Sequence, residues 1–236
     1  MGEPAKLIFA KFGMNSSQHN GIKPVRVSLS EAQQRLMNTK LSLLKQDLGI
    51  NLHFFRSEDI ETLLGRVSNY AHKLFVDMAK KPGNKLFLLK IVLNKGNVLS
   101  LGLSEGAEAD GATFGLSDPR GIVLSAVQKN HVIFVPDVGR KALQILTFGD
   151  ERHCLNESDL EKYGLNIFGL IGIKGLKSLL AAPFIYHNYE TGALRELGAI
   201  IIGSGQIGHE FIDSPGDLVV IREFANFTSR ALNNFI

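Results

Sequence analysis

The side chains able to do chemistry are few, and their spacing decides what each can do. Cys154 is the single cysteine, and His153 stands directly before it. A thiol becomes a nucleophile when a neighbouring base or cation lowers its pKa. Adjacency in sequence does not bring the imidazole onto the thiol, and no Gly-rich oxyanion context surrounds the pair, so a plain thiol is the favoured reading. One cysteine also excludes an internal disulfide and a cysteine-cluster zinc site. His209-Glu210 lacks a second histidine four residues after the first, so it is not a zinc-protease motif. His131, His187 and His209 lie near strand ends and read as solvated loop histidines, and no metal is expected. Gly203-Ser204-Gly205-Gln206-Ile207-Gly208 spells G-x-G-x-x-G after a strand. Only 28 residues follow Gly208, too few to complete a dinucleotide-binding βαβ unit with its acidic ribose ligand, so the glycines read as a loop. GIKGLKS (172–178) lacks a Gly directly before a Lys-Ser pair and is no phosphate loop. No acid, base and nucleophile share a usable spacing, so an enzyme is not expected.

Asp137 carries more weight, because it follows an apolar strand and a proline. It reads either as a turn cap accepting backbone N–H groups or as the wall of a binding cleft. Tyr163, Asn166 and Ser178 flank the least regular stretch and offer hydroxyl and amide groups to a ligand. A mostly apolar cleft with a few placed polar groups is what a small-molecule site requires.

Composition limits the class of protein. The 236 residues are 44% hydrophobic and 21% charged, enough to bury a core and too apolar for general disorder. The formal net charge is +3, and the basic residues are scattered rather than gathered into a stripe, so nucleic-acid binding is not expected. No apolar run reaches membrane-spanning length and the first residues do not resemble a secretory signal. A cytoplasmic location is the expectation.

The elements that must position these residues follow from periodicity and punctuation. Ser28 and Glu31 have capping-box spacing, which predicts a helix from 28 to about 48 before Gly49. Leu29, Leu36 and Leu43 recur every seven residues along it, either as a core stripe or as a face for a partner chain. Ser57 as N-cap and Pro82-Gly83 as a stop bound a second helix, 58–80. LFLLKIVL (86–93), a short turn and NVLSLGL (97–103) form a hairpin. Asp118-Pro119 starts a short helix reaching Lys129, and HVIFVPDV (131–138) is a strand. Residues 140–170 read as irregular, with KALQIL (141–146) as one or two helical turns and another short helix ending near Tyr163. Two more strands, 176–186 and 194–204, precede a last helix capped by Ser214, with Leu218, Ile221, Ala225, Thr228, Leu232 and Phe235 as its stripe. This is an α+β arrangement in three layers. A mostly antiparallel sheet of about five strands carries the terminal helices on one face and the irregular crossover on the other. The expected division is an N-terminal arm and helix, 1–56, and a domain, 57–236.

Several phrases in this order resemble the GAF domain family over roughly 57–236. GIVLSAVQKNHVIFVPDV (121–138) is similar to its short helix, turn and strand ending in Pro-Asp. SLLAAPFIY (178–186) and ELGAIII (196–202) are similar to its paired core strands, and HEFIDSPGDLVVIREFANFTSRALNNF (209–235) to its closing helix. The resemblance implies a regulatory or sensory module. Such domains bind small molecules between the sheet and the crossover, and many dimerise through terminal helices. Family ligands include cyclic nucleotides, bilins, haem, small acids and ions, and fold alone does not choose among them. The signature of cyclic-nucleotide-binding members is not evident. Bilin-binding members use Cys followed by His in the crossover; here His153-Cys154 reverses that order. Members that reduce methionine sulfoxide need several cysteines. The expectation is a small-molecule site drawn from Asp137, His153, Cys154, Tyr163, Asn166 and Ser178, with the ligand's identity open and the cofactor unknown. The output would pass through the terminal helices to a second protomer or a partner protein. The alternative is a ligand-free interaction or dimerisation module.

Overall fold

The computed structural model describes residues 25–26, 30–52, 59–78, 86–95, 98–105, 121–140, 142–146, 151–155, 175–205 and 215–235. Within them lie strands β1 (Val25–Arg26), β2 (Leu86–Lys95), β3 (Val98–Glu105), β4 (Val132–Asp137), β5 (Ala142–Leu146), β6 (Glu151–Leu155), β7 (Ser178–His187) and β8 (Leu194–Ser204). The helices are α1 (Glu31–Leu52), α2 (Ile60–Met78), α3 (Ile122–Lys129) and α4 (Pro215–Leu232). The strands form one sheet in the order β1-β6-β5-β4-β7-β8-β2-β3, and every pairing is antiparallel. The α+β class and the five expected strands are present as β2, β3, β4, β7 and β8. Three further strands extend the sheet beyond β4.

Two of those three occupy the stretch expected to be irregular or helical. Within KALQIL, Ala142–Leu146 is strand β5, not a helical turn, and His153-Cys154 lie in strand β6. The reason is that β4 would otherwise be an edge. Pairing Ile133 with Ile145 and Phe134 with Gln144 satisfies its backbone groups, and β6 does the same for β5.

The central strands are buried on both faces. Along β7, Ser178 to Ile185 are all buried. On one face Phe134, Leu180, Ala182, Phe184, Ile200 and Ile202 pack in one core with Leu63, Leu64 and Val67 of α2 and Leu218, Ile221 and Phe224 of α4. Tyr70 and Phe224 stack between these two helices with ring centroids 6.2 Å apart. On the other face α3 packs against β7 and β8. Ile122, Val123, Ala126 and Val127 of this short helix are buried. Asn130 ends it in the left-handed region, and the His131 N–H returns to the Ala126 carbonyl.

The termini of the helices correct the expected caps. Ser30, not Ser28, caps α1: the Gln33 N–H donates to Ser30 Oγ at 3.3 Å, and the Ser30 N–H donates to Gln33 Oε1 at 3.0 Å. Both serines have a suitable partner three residues on, and the chain uses the later pair. Asp59 caps α2, receiving the Thr62 N–H at 2.8 Å and the Thr62 hydroxyl at 2.9 Å. Ser57, Asp118, Pro119 and Ser214 lie outside the described residues.

α1 is bound to the same core as the rest. Leu44 is buried in it, and Met37 and Leu41 pack against it. Lys40 Nζ donates to Asp217 Oδ1 at 2.6 Å, with the two side chains only 14% and 3% exposed. The heptad stripe divides accordingly: Leu36 and Leu43 are exposed, and the helix packs through the positions beside them. Leu29 lies outside the described residues.

Three outcomes follow. Gly198 has φ +148°, and an added Cβ would fall on the Val92 carbonyl oxygen. Gly198→Ala is therefore expected to cost at least about 2 kcal/mol in chemical denaturation. Lys40→Met leaves the Asp217 carboxylate buried without its cation and is expected to cost about 3 kcal/mol, part of which Lys40→Met/Asp217→Leu recovers. Hydrogen bonds from Thr62 hold the Asp59 carboxyl below its ordinary value of 3.8. The folded-state pKa is depressed, so this stabilisation is present above the unfolded value and lost as pH falls through the folded one. The melting temperature is expected to drop below about pH 4 in the wild type and to drop less in Asp59→Asn, whose amide oxygen still caps the helix.

Candidate functional site

Two of the polar residues singled out by sequence, Asp137 and Ser178, lie at one end of the sheet. β4 ends there, β7 begins there, and β8 ends there. The Val138 N–H donates to the Lys177 carbonyl at 2.9 Å, and the Lys177 N–H donates to the Ser204 carbonyl at 2.8 Å. These two bonds place Asp137, Ser178 and Ser204 beside one another across three strands.

Asp137 acts first as a turn cap. Its Oδ1 accepts the Gly139 N–H at 2.9 Å and the Arg140 N–H at 3.2 Å. Its Oδ2 lies 3.3 Å from Arg140 Nε, whose side chain is exposed. The exposed arginine limits the ion pair to a fraction of a kcal/mol, and the two backbone bonds do most of the positioning. The turn thus fixes the carboxylate and leaves Arg140 beside it at the surface. Of the two readings left open for Asp137, the cap is directly visible.

Ser178 is fully buried, and its hydroxyl has no hydrogen-bond partner among the described residues. Its main chain is paired, with Ser204 opposite in the β7–β8 ladder. Alternation along β7 puts Ser178 on the side of Leu180, Ala182 and Phe184, the side covered by α4. The helix runs along β7 in the same sense, because the Ser229 hydroxyl near its far end donates to the Ile185 carbonyl at 2.8 Å. Its first turn, with Asp217 held by Lys40, therefore lies near the Ser178 end. Asp137 and Ser178 are brought to one sheet end, and Ser178 belongs to the α4 side rather than the middle of the α3 side.

His153 and Cys154 are two strands away. Their main chains pair with Ile145 and Gln144 of β5, and β5 pairs with β4. Strand spacing alone separates them from β4 by about 10 Å. Tyr163 and Asn166 lie outside the described residues. Sequence reasoning missed Ser204 and Lys177, and the signal for them was the pairing of the strands, which only the register supplies. Among the described residues no group of three or more His, Cys, Asp or Glu is placed to hold a metal ion. No described helix is long and apolar enough to cross a membrane.

Removing an unpaired buried hydroxyl is cheap, whereas removing one that serves a ligand is not. Ser178→Ala is expected to leave the apo protein as stable or more stable by up to about 1 kcal/mol. Asp137→Ala frees the N–H groups of Gly139 and Arg140 and is expected to cost about 1 kcal/mol, measured by thermal unfolding.

No protein-family model matches the sequence, and no curated protein matches it. Among solved structures, the chain is similar to a free methionine-R-sulfoxide reductase from Neisseria meningitidis in complex with its substrate, at 14% identity and a TM-score of 0.48, over 89% of this chain and 96% of that one. It is similar to the GAF domain of a two-component sensor histidine kinase from Bacillus halodurans, at 16% identity and a TM-score of 0.46, over 75% and 96% of the two chains. It is also similar to the phycocyanobilin-bound GAF domain of a cyanobacterial phytochrome, at 14% identity and a TM-score of 0.40, over 89% and 97%.

Proposed function

We propose that this chain is a cytoplasmic, non-catalytic sensory module of the GAF type that binds a small molecule at the sheet end bearing Asp137 and Ser178. The observation that carries the reading is the Ser178 hydroxyl, fully buried and unpartnered among the described residues. An unmet buried hydroxyl costs about 1–3 kcal/mol, and a ligand that hydrogen-bonds to it returns part of that as affinity. Asp137, held by its turn, supplies an acceptor at the same end of the sheet. Tyr163 and Asn166, outside the described residues, and His153 and Cys154, two strands from β4, are the further candidate contacts. The single cysteine supports binding rather than redox chemistry, since a thiol alone has no resolving partner.

Residues 57–236 form the sensing unit, and α1 is the element through which it reports. The Lys40–Asp217 pair ties α1 to the first turn of α4, which lies near Ser178. A ligand that favours one placement of that turn shifts the seating of α1 by its differential affinity for the two placements. The exposed Leu36 and Leu43 give α1 a face for a partner protein.

Native mass spectrometry of freshly purified protein tests retention of a ligand. Hydrogen exchange, with and without a cell-extract metabolite pool, tests where it acts. The expected result is slower exchange at 156–174 and at the start of α4, reduced in Ser178→Ala without loss of apo stability. Unchanged exchange with every pool and no retained mass would end the sensing proposal. The ligand-free interaction module would then stand in its place.

A further inference from the structure

A second surface lies at the opposite end of the sheet and is independent of the small-molecule reading. β4 pairs with β7 only as far as Ala181 and β2 with β8 only as far as Gly198, so the end of the β7–β8 hairpin beyond Phe184 and Gly198 runs past both neighbours as a two-stranded projection. Such a tip would ordinarily be loose. This one is fixed by its own turn. Asn188 Oδ1 accepts the Glu190 N–H at 2.9 Å and the Thr191 N–H at 3.2 Å. The Gly192 N–H donates to the Asn188 carbonyl at 2.8 Å and the Asn188 N–H to the Ala193 carbonyl at 2.9 Å, with Gly192 at φ +71°. α4 holds the tip from one side: Ser229 Oγ donates to the Ile185 carbonyl, Arg195 to Asn233 Oδ1 at 3.2 Å, and Arg230 to the Tyr189 hydroxyl at 3.3 Å.

This rigid tip presents apolar surface to solvent. Tyr189 is 70% exposed and Leu194 46% exposed, and they account for two of the four large exposed hydrophobics among the described residues. His187 packs edge-on against Tyr189 with ring centroids 4.6 Å apart, which holds the phenol outward. Around the pair stand charges of both signs. Glu190 and Glu196 are exposed. The Arg230 guanidinium rests over the Phe227 ring, 5.7 Å from its centroid. Among the described residues none of these three charges has an ion-pair partner. A partner of one sign would satisfy the arginine or the glutamates and repel the other. A two-fold related copy satisfies both, because each contact in an isologous interface occurs twice with the roles exchanged. A tyrosine on a pre-formed turn and an arginine on a helix are also side chains that contribute much to association at low ordering cost.

We infer that the β7–β8 tip is a self-association surface, on which Tyr189 and Leu194 of two copies of this chain meet, and Arg230 of each copy pairs with the Glu190 of the other. This leaves the Leu36 and Leu43 face of α1 for a different partner.

The test is sedimentation velocity of the full chain up to about 500 μM, a range that reveals Kd values down to the weak end of specific association. The wild type is expected to show a monomer–dimer equilibrium. Leu194→Glu, Arg230→Glu and Glu190→Arg are each expected to weaken it about tenfold or more. Arg230→Glu/Glu190→Arg is expected to restore it, with folding of every variant checked by circular dichroism. Leu36→Ser/Leu43→Ser is expected to leave it unchanged. A wild type that stays monomeric overturns the inference, and so does a dimer indifferent to the tip variants or lost only with the α1 variant. Single variants that weaken the dimer without rescue by the charge exchange overturn the two-fold pairing.

Discussion

Burial of β7 and β8 on both faces governs the rest of the structure. A strand with apolar side chains on both sides cannot face water on either, so helices must lie above and below it. α2 and α4 supply one layer and α3 part of the other. The antiparallel ladder that joins the two strands also fixes the register of everything beside them. β2 docks on β8 and β4 on β7 by that register, and the polar groups at the sheet ends are gathered as a by-product. The close approach of β2 to Gly198, where no side chain fits, marks how tightly the central ladder is packed.

Much of this was legible in the residues. β8 has the expected bounds of 194–204, and the stripe of α4 from Leu218 to Leu232 is buried as its spacing required. Long apolar strands and long amphipathic helices announce themselves because many residues repeat one message. The caps were less legible: Ser28 and Ser30 both satisfy the spacing rule, and a rule met twice does not choose. β5 and β6 were not legible at all. KALQIL alternates too briefly to separate a strand from a helical turn, and what makes it a strand is the unpaired edge of β4, a fact about another part of the chain.

The candidate site divides along the same line. Asp137 was readable as a turn residue because a proline and a glycine frame it locally. The lack of a partner for the Ser178 hydroxyl among the described residues was not, since satisfaction of a buried group depends on what lies across the sheet. His153 and Cys154 fall in strand β6, a placement that the expectation of an irregular crossover did not anticipate.

The two-residue strand β1 has a mechanical meaning. Val25 and Arg26 pair with Arg152 and Glu151 on the outermost edge of the sheet, and α1 begins at Glu31. The four links from Arg26 to Ser30 stretch to about 14 Å at most. The near end of α1 is thus leashed to β6 while its middle is latched to α4. One short tether ties the sheet's far rim to the helical roof, and a displacement of that rim must either drag the helix with it or unfasten the two-residue pairing.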